Sequence, residues 1–256
     1  MSRRNNPLVE IFGCRLNIWE SEVIRDHASA VGLGDAIIFN TCAVTAEAEK
    51  QARQAIRRAR RNNPDAPIIV TGCAAQIAPE SWAAMPEVSQ VVGNHDKLQP
   101  QSWNALATAN TPQLLVSDVM EIRQTAAHLI DSFHNHTRAF LQVQQGCDHR
   151  CTFCIIPYGR GNSRSVPVLD VIAQVRRLVE SGAREVVVTG VDVTSYGADL
   201  PGTPTLGQLI RRVLQAVPEL SRLRLSSLRP IHRARLRRMP ERLCQVALLN
   251  LTSTAS

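Results

Sequence analysis

Short apolar runs alternate with amphipathic stretches through the first hundred residues. Four of these runs are short, rich in β-branched or aromatic side chains, and mostly closed by Gly or Asn, as expected of buried parallel strands. They cover residues 8–12, 36–39, 67–70 and 88–92. Helix-type periodicity covers 17–31 and 45–61. The alternation predicts an α/β fold whose N-terminal part is a doubly wound parallel sheet.

The same alternation resumes at residue 139. Predicted strands cover 139–143, 185–189 and 222–226, and predicted helices cover 168–181 and 205–216. Repeated units of this kind build a (β/α) barrel, whose chemistry lies at the C-terminal ends of the strands. We therefore predict a first domain over 1–110, a linker over 111–138, a partial barrel over 139–228 and an atypical tail over 229–256.

The tail carries most of the net charge of +7. Between Arg229 and Arg242 there are six arginines and one acid, a local sum of +5, so residues 1–228 carry +7 − 5 = +2. A charge of that size neither supports nor excludes nucleic-acid binding. The abrupt change in composition after Leu228 suggests a truncation or a shifted reading frame, which the coding DNA would settle.

Seven cysteines in a secreted protein would suggest disulfides, but nothing in this sequence indicates secretion. The N-terminus has two arginines but no apolar segment behind them, and no run approaches the about 18 to 20 apolar residues of a membrane span. We expect a cytoplasmic protein with reduced thiols and no membrane partner. Metal or cluster ligation is then the leading explanation for the cysteines.

Three cysteines lie on one short loop. Cys147, Cys151 and Cys154 have the spacing C-x3-C-x2-C after an apolar strand. Three thiolates on a [4Fe-4S] cube would leave one iron open to another ligand. Zinc is the alternative, but the chain has no second C-x2-C pair, and His149 lies inside the loop, where it is better explained as a solvated side chain.

Three further cysteines each follow a predicted strand: Cys14, Cys42 and Cys73. The C-terminal ends of parallel strands meet at one edge of a sheet, where ligands bind. These thiols would therefore converge and could hold a second cluster. The alternative is three buried structural thiols, which would be expected within strands rather than after them.

The run from Gln144 to Arg164 resembles the radical S-adenosylmethionine (SAM) superfamily, and specifically its tRNA and ribosomal-protein methylthiotransferases. The resemblance covers about residues 7–228. It implies two [4Fe-4S] clusters, one held by Cys147, Cys151 and Cys154 with SAM on the open iron, and an auxiliary one held by Cys14, Cys42 and Cys73. It also implies that Gly190 and Phe153 contact the cofactor, although Gly190 could be a simple turn residue.

Within that family, the runs 12–17, 145–151 and 189–197 are most similar to enzymes acting on N6-threonylcarbamoyladenosine at position 37 of tRNA. The resemblance implies radical methylthiolation of adenine C2, a tRNA anticodon loop as substrate, and an electron donor of flavodoxin or ferredoxin type. Two alternatives stay open. One is a noncatalytic iron–sulfur fragment, and the other is a relative that acts on isopentenyladenosine.

Several charged residues have competing explanations. Arg160 and Arg164 could contact RNA or SAM, or form structural salt bridges. The arginines of the helix predicted over 45–61 could face RNA, but an exposed helix face is the commoner case. His128, His134 and His136 are explained best by a solvated linker, and Cys244 has no assigned role.

Overall fold

The computed structural model describes residues 6–108, 112–123, 138–226 and the backbone of 246–248. Its contacts divide the chain into two compact units, Met1–Ile122 with Asp148–Asn162, and Arg123–Cys147 with Ser163–Ser256. Cys244 and the histidines at 128, 134 and 136 lie outside the described residues. The domain boundaries proposed at 110, 138 and 228 stay predictions.

The first unit contains a five-stranded parallel sheet whose strands neighbour each other in chain order, β1-β2-β3-β4-β5. Its elements up to β5 are β1 (Leu8–Ile11), α1 (Arg15–Ala30), β2 (Ile37–Thr41), α2 (Ala46–Asn62), β3 (Ile68–Gly72), α3 (Cys73–Ile77), α4 (Pro79–Ala83), β4 (Gln90–Val92), α5 (Pro100–Leu106) and β5 (Leu114–Leu115).

Helices cover both faces of this sheet. Alternate residues of β2 point to opposite sides: Ile38 packs in one core with α1 and α5, whereas Phe39 packs in another with α2 and α4. Each core contains one fully buried tryptophan, Trp103 in the first and Trp82 in the second. The prediction of a parallel sheet wound on both faces is confirmed.

Local sequence explains where α2 lies and how it packs. The Thr45 hydroxyl caps the helix by accepting a hydrogen bond from the Ala48 N–H at 3.2 Å. Buried Ala52, Ala55 and Ala59 line the inner face, and their small side chains let the helix approach the sheet. Like the other predicted elements, this helix lies within one or two residues of its predicted bounds.

The rest of the described chain contains β6 (Ala139–Gln145), α6 (Ile156–Arg160), β7 (Arg164–Ser165), α7 (Val168–Glu180), β8 (Glu185–Gly190), α8 (Leu206–Ala216), β9 (Arg222–Leu225) and β10 (Val246–Leu248). Of these, α6 belongs to the first unit. The others build the second unit, with strand order β10-β9-β8-β6-β7. All neighbours are parallel except the short β7, which is antiparallel to β6.

The second unit has the β/α arrangement predicted for a partial barrel. Side chains of α7 and α8 share one core with one face of the sheet formed by β6, β8 and β9. A capping box begins α8: Thr205 accepts from the Gln208 N–H, and the Gln208 side chain accepts from the Thr205 N–H. Strand β10 comes from the proposed tail, and its backbone pairs in parallel with β9.

Candidate metal centre

Cys14, Cys42 and Cys73 lie where the chain leaves the first three strands of the first unit. Cys14 is the residue before α1, Cys42 follows the last residue of β2, and Cys73 begins α3 directly after β3. Cys42 is buried, Cys73 is half-buried and Cys14 is exposed. Their positions after the strands agree with the sequence pattern.

The structure brings these three thiols near one another. Burial raises the pKa of the Cys42 thiol, and the negative charges of Cys73 and Cys14 raise it further. Gly13, with φ of +99°, allows the first two loops to approach. A Cβ at Gly13 would stand 2.6 Å from Cys42 Cβ and 2.7 Å from Cys42 Sγ. Only glycine fits there, because it has no Cβ and tolerates the left-handed conformation.

Polar groups surround the sulfur atoms. The Val44 N–H donates to Cys42 Sγ at 3.5 Å, and Asn94 Nδ2 donates to Cys73 Sγ at 3.5 Å. Asn94 Nδ2 also donates to the Gly159 carbonyl of α6. Such N–H donors stabilise thiolates and are one of the means by which proteins tune clusters.

A buried network of charges lies in the same unit. We call Glu20, Lys97 and Arg160 the buried triad. Arg160 Nη1 donates to Glu20 Oε1 at 2.7 Å, and Lys97 Nζ donates to Glu20 Oε2 at 2.8 Å. All three side chains are at most 3% exposed. Asn17 Oδ1 accepts from Arg160 Nη2 at 2.8 Å, and Asn40 Oδ1 accepts from Lys97 Nζ at 3.2 Å.

The charges of the triad and the thiols influence one another. Burial opposes the charge on Glu20, but Arg160 and Lys97 outweigh it and hold the pKa of Glu20 below its usual value. Burial lowers the pKa of Arg160, but Cys73, Glu20 and Cys14, in that order, raise it well above its usual value. The triad contains two cations and one carboxylate, so a net positive charge lies within electrostatic reach of the thiolates.

This donor set fits an iron–sulfur cluster by its chemistry, because Cys thiolates are the usual ligands of such clusters. Sulfur ligands that share one tetrahedral zinc at about 2.3 Å stand only about 3.8 Å apart. No three His, Cys, Asp or Glu side chains in the described part of the chain are grouped closely enough to hold one metal ion. Thiolates of an iron–sulfur cube bind separate irons and so stand farther apart. Three thiols that follow neighbouring strands are a donor set of the kind that such a cluster needs.

The C-x3-C-x2-C cysteines are divided between the units. Cys147 follows β6 in the second unit, whereas Cys151 and Cys154 belong to the first unit, with the Cys154 N–H donating to the Cys151 carbonyl at 3.0 Å. His149 is exposed, as expected, and the Phe153 side chain is 92% exposed. The joint use of these three thiols as cluster ligands stays a prediction.

Comparison with known proteins gives two family matches. Residues 7–93 match the uncharacterized protein family UPF0004, and residues 141–248 match the radical SAM superfamily. The chain is 57% identical over 227 residues to a threonylcarbamoyladenosine tRNA methylthiotransferase from Rickettsia prowazekii (strain Madrid E), which covers 88% of this chain and 53% of that protein.

The chain is similar to radical SAM methylthiotransferases over most of its length.

Two further proteins are similar over much of the same region. The Bacillus subtilis (strain 168) threonylcarbamoyladenosine tRNA methylthiotransferase is 36% identical, over 84% of this chain and 50% of that protein. A tRNA-2-methylthio-N(6)-dimethylallyladenosine synthase from Novosphingobium aromaticivorans is 33% identical, over 87% and 52%. The chain thus spans about half the length of the curated relatives it matches. The radical SAM match also continues to residue 248, past residue 228, where the resemblance was expected to stop.

A solved structure shares the fold. A radical SAM methyltransferase from Kitasatospora setae, solved with its tryptophan substrate and a SAM analogue, matches with a TM-score of 0.56 at 15% identity. The match covers 88% of this chain and 54% of that one. It supports the arrangement of a parallel N-terminal sheet followed by a radical SAM-like sheet. No helix in the described ranges has both the length and the hydropathy needed to span a membrane.

Gly190 has a structural explanation. It is the last residue of β8 and pairs with Gln144 of β6. A Cβ at Gly190 would stand 2.8 Å from the Gln144 carbonyl oxygen and 2.8 Å from Val193 Cγ1. The close approach of these strand ends therefore requires glycine. The proposed contact of Gly190 with SAM stays a prediction, as does that of Phe153.

Gln144 is a site residue that sequence reasoning missed. Its Oε1 accepts from the Asp192 N–H at 2.7 Å, and its Nε2 donates to the Gly146 carbonyl at 2.7 Å and to Ser163 Oγ at 2.9 Å. One buried side chain thus fixes the start of the cysteine loop against the segment after β8. Its position directly after the predicted apolar strand 139–143 was the available signal, because a buried amide must find partners.

The structure gives different contacts to the arginines whose roles the sequence left open. Arg160 takes part in a buried ion pair, as one of the competing explanations proposed. On α2, Arg53 contacts Glu49 and Ser81, and Arg60 donates to the Glu87 carbonyl. The remaining arginines of this helix are exposed: Arg57, Arg58 and Arg61.

Proposed function

We propose that this chain methylthiolates C2 of N6-threonylcarbamoyladenosine at position 37 of tRNA, using two [4Fe-4S] clusters and SAM. The observation that carries the proposal is the convergence of Cys14, Cys42 and Cys73 beside a net positive charge, in a chain that also has the C-x3-C-x2-C loop. One cluster would suffice for SAM cleavage alone. A second one suits a reaction that must also handle sulfur.

Adenine C2 is an unactivated aromatic carbon with no acidic proton for a side-chain base. A cluster and SAM bound at Cys147, Cys151 and Cys154 would supply the radical chemistry that protein side chains lack. The chain's own residues hold and orient these groups. Gln144 fixes the beginning of the cysteine loop, and Gly190 keeps the end of β8 free of side-chain bulk.

The second set of cysteines would serve the sulfur-handling part of the reaction. Cys14, Cys42 and Cys73 would hold a cluster with one iron open to a sulfur ligand. The Val44 N–H and Asn94 Nδ2 support the sulfur atoms of Cys42 and Cys73.

The proposed substrate is the one named for the similar proteins from Rickettsia prowazekii and Bacillus subtilis. Bases of the anticodon loop can be splayed out and read by a protein. Exposed Arg57, Arg58 and Arg61 on α2 suit contact with RNA phosphates. A flavodoxin- or ferredoxin-type donor in the cytoplasm would supply electrons. Isopentenyladenosine is the weaker substrate candidate, because the relative named for that group is 33% identical and the one named for threonylcarbamoyladenosine is 57% identical.

The test is anaerobic reconstitution followed by incubation with SAM, dithionite and tRNA. We expect 5′-deoxyadenosine together with a methylthio nucleoside made from threonylcarbamoyladenosine, and neither from Cys154→Ala. Methylthiolation of isopentenyladenosine instead would establish the alternative substrate. No 5′-deoxyadenosine from fully loaded protein would mean that the chain is a noncatalytic iron–sulfur protein.

A further inference from the structure

Helix α2 presents a row of long polar side chains on one face. Gln51, Gln54, Arg58 and Arg61 follow one another at spacings of three, four and three residues, which place them one above the other along the helix. All four are exposed, and we call them the α2 stripe. Residues 50–61 contain six cationic side chains and no acidic one, so positive charge is concentrated on this helix.

The arginines of α2 differ in what they contact. Arg53 packs over a tryptophan ring, 4.2 Å from its centroid, and Arg60 donates to a backbone carbonyl at 2.7 Å. Both therefore hold the helix against the rest of the first unit. Arg58 and Arg61 make no hydrogen bond or ion pair with the residues that the structure describes. Their charges are available to a partner.

A pocket of about 470 Å³ lies between α2 and the edge strand β1. One side is lined by Glu10, Ile11 and Phe12, and the other by Ala55 and the first three residues of the α2 stripe. The volume is within the range of ordinary small-ligand sites, about 300 to 1,000 Å³. The pocket thus combines an apolar surface with an amide, a carboxylate and a guanidinium at its edge.

This combination suits a nucleotide that is not base-paired. A base can pack its flat face on Phe12 and the aliphatic side chains. The Gln54 amide has no hydrogen-bond partner among the described residues, so it can offer both a donor and an acceptor to a base edge. Arg58 and Arg61 suit phosphates. An acidic protein surface would also attract the arginines, but Glu10 would repel its carboxylates, whereas Glu10 can accept from the amine of a base.

We propose that the α2 stripe and this pocket bind an unpaired nucleotide of the tRNA anticodon loop, with its base in the pocket and phosphates on Arg58 and Arg61. The inference rests on the proposed function, which supplies the RNA. It also gives the location a purpose. Phe12 precedes Cys14 by two residues, so RNA held here would lie beside the first of the three thiols that follow the strands.

The test is binding of a fluorescent anticodon stem–loop RNA, followed by anisotropy at several salt concentrations. The protein needs neither iron nor SAM for this measurement. In the double variant Arg58→Gln, Arg61→Gln, we expect the slope of log K against log salt to become shallower by about 1.4, because each single-strand phosphate contact contributes about 0.7. The matched control is Arg211→Gln, Arg212→Gln, which removes two exposed arginines of α8 and should leave the slope unchanged.

A second variant tests the pocket separately from the charge. Gln54→Leu should weaken binding of the stem–loop about tenfold and leave the salt slope unchanged, because it removes a contact to a base and no charge. A duplex of the same stem without the loop has no unpaired base, so Gln54→Leu should bind it like the wild type. All of these substitutions are at exposed positions, and unchanged urea midpoints would verify that the variants fold.

Three results would overturn the inference: an α2 double variant with the slope of its α8 control, a Gln54→Leu variant that binds the stem–loop like the wild type, or one that binds the duplex equally weakly. A wild type that methylthiolates tRNA while giving any of these results would overturn the inference alone. A wild type that does not bind the stem–loop would contradict both the inference and the proposed tRNA substrate. If the variants behave as expected but the wild type forms no methylthio nucleoside, the proposed function fails and the RNA site stands.

Discussion

Replacing Glu20 by Gln is expected to destabilise the first unit strongly. Glu20 is fully buried and accepts hydrogen bonds from Arg160 at 2.7 and 3.2 Å and from Lys97 at 2.8 Å. The amide has the same shape but no charge. The substitution therefore removes the carboxylate that Lys97 and Arg160 share.

The expected cost follows from the burial of the pair. Removing one partner of a buried ion pair costs about 3 to 5 kcal/mol, whereas an exposed pair contributes about 0 to 1 kcal/mol. Glu49 and Arg53 form a pair at 3.0 Å whose side chains are 41% and 24% exposed, so Glu49→Gln is the less buried control. With a urea slope of about 1 to 3 kcal/mol per molar, Glu20→Gln should lower the unfolding midpoint by at least about 1 M.

Tryptophan fluorescence is suited to this measurement. All three tryptophans of the chain lie in the first unit and are buried: Trp19, Trp82 and Trp103. Urea unfolding followed by fluorescence thus reports this unit. A Glu20→Gln midpoint equal to that of Glu49→Gln would refute the reasoning, because it would mean that the triad charges are not desolvated.

Two further variants test other features. Gly13→Ala should destabilise the first unit by at least about 1 kcal/mol more than Gly32→Ala in the same fluorescence assay. Both glycines have positive φ, but only at Gly13 would an added Cβ collide with a neighbour, Cys42. Equal losses of unfolding free energy in the two variants would contradict this explanation. Burial, and next the charge of Asp199, raise the pKa of Tyr196. The neutral Tyr196 phenol therefore contributes its full stabilisation of the folded protein below about pH 10, and this contribution is lost as the pH rises further. Urea midpoints followed by circular dichroism should therefore fall more between about pH 9 and pH 11 in the wild type than in Tyr196→Phe, and equal slopes would contradict this assignment.

Local pattern was enough to predict the strands, the helices and the cysteines after the strands. The bounds of β2 and β3 were predicted too short, because Asn40, Thr41 and Thr71 are polar yet lie in the sheet. The side chains of the first two find partners inside: Thr41 Oγ1 donates to the Thr71 carbonyl at 2.6 Å, and Asn40 Nδ2 donates to Ser21 Oγ at 3.1 Å. Hydropathy alone cannot anticipate such satisfied polar groups.

The triad could not be predicted from the sequence. Glu20 is 77 residues from Lys97 and 140 residues from Arg160, so no spacing rule connects them. A weak signal existed, since Glu20 lies on the same helical face as buried Asn17 and Ile24. A charged residue on an apolar face indicates a buried partner, but only the tertiary structure identifies which one.

The central claim is that this chain holds two separate clusters on two sets of three cysteines. Iron and acid-labile sulfide, counted after anaerobic reconstitution, test it most directly. We expect about eight irons in the wild type and about four in each triple Ala variant, of Cys14, Cys42 and Cys73 or of Cys147, Cys151 and Cys154. The variant lacking all six should hold none. Full iron content after loss of Cys14, Cys42 and Cys73 would contradict the account.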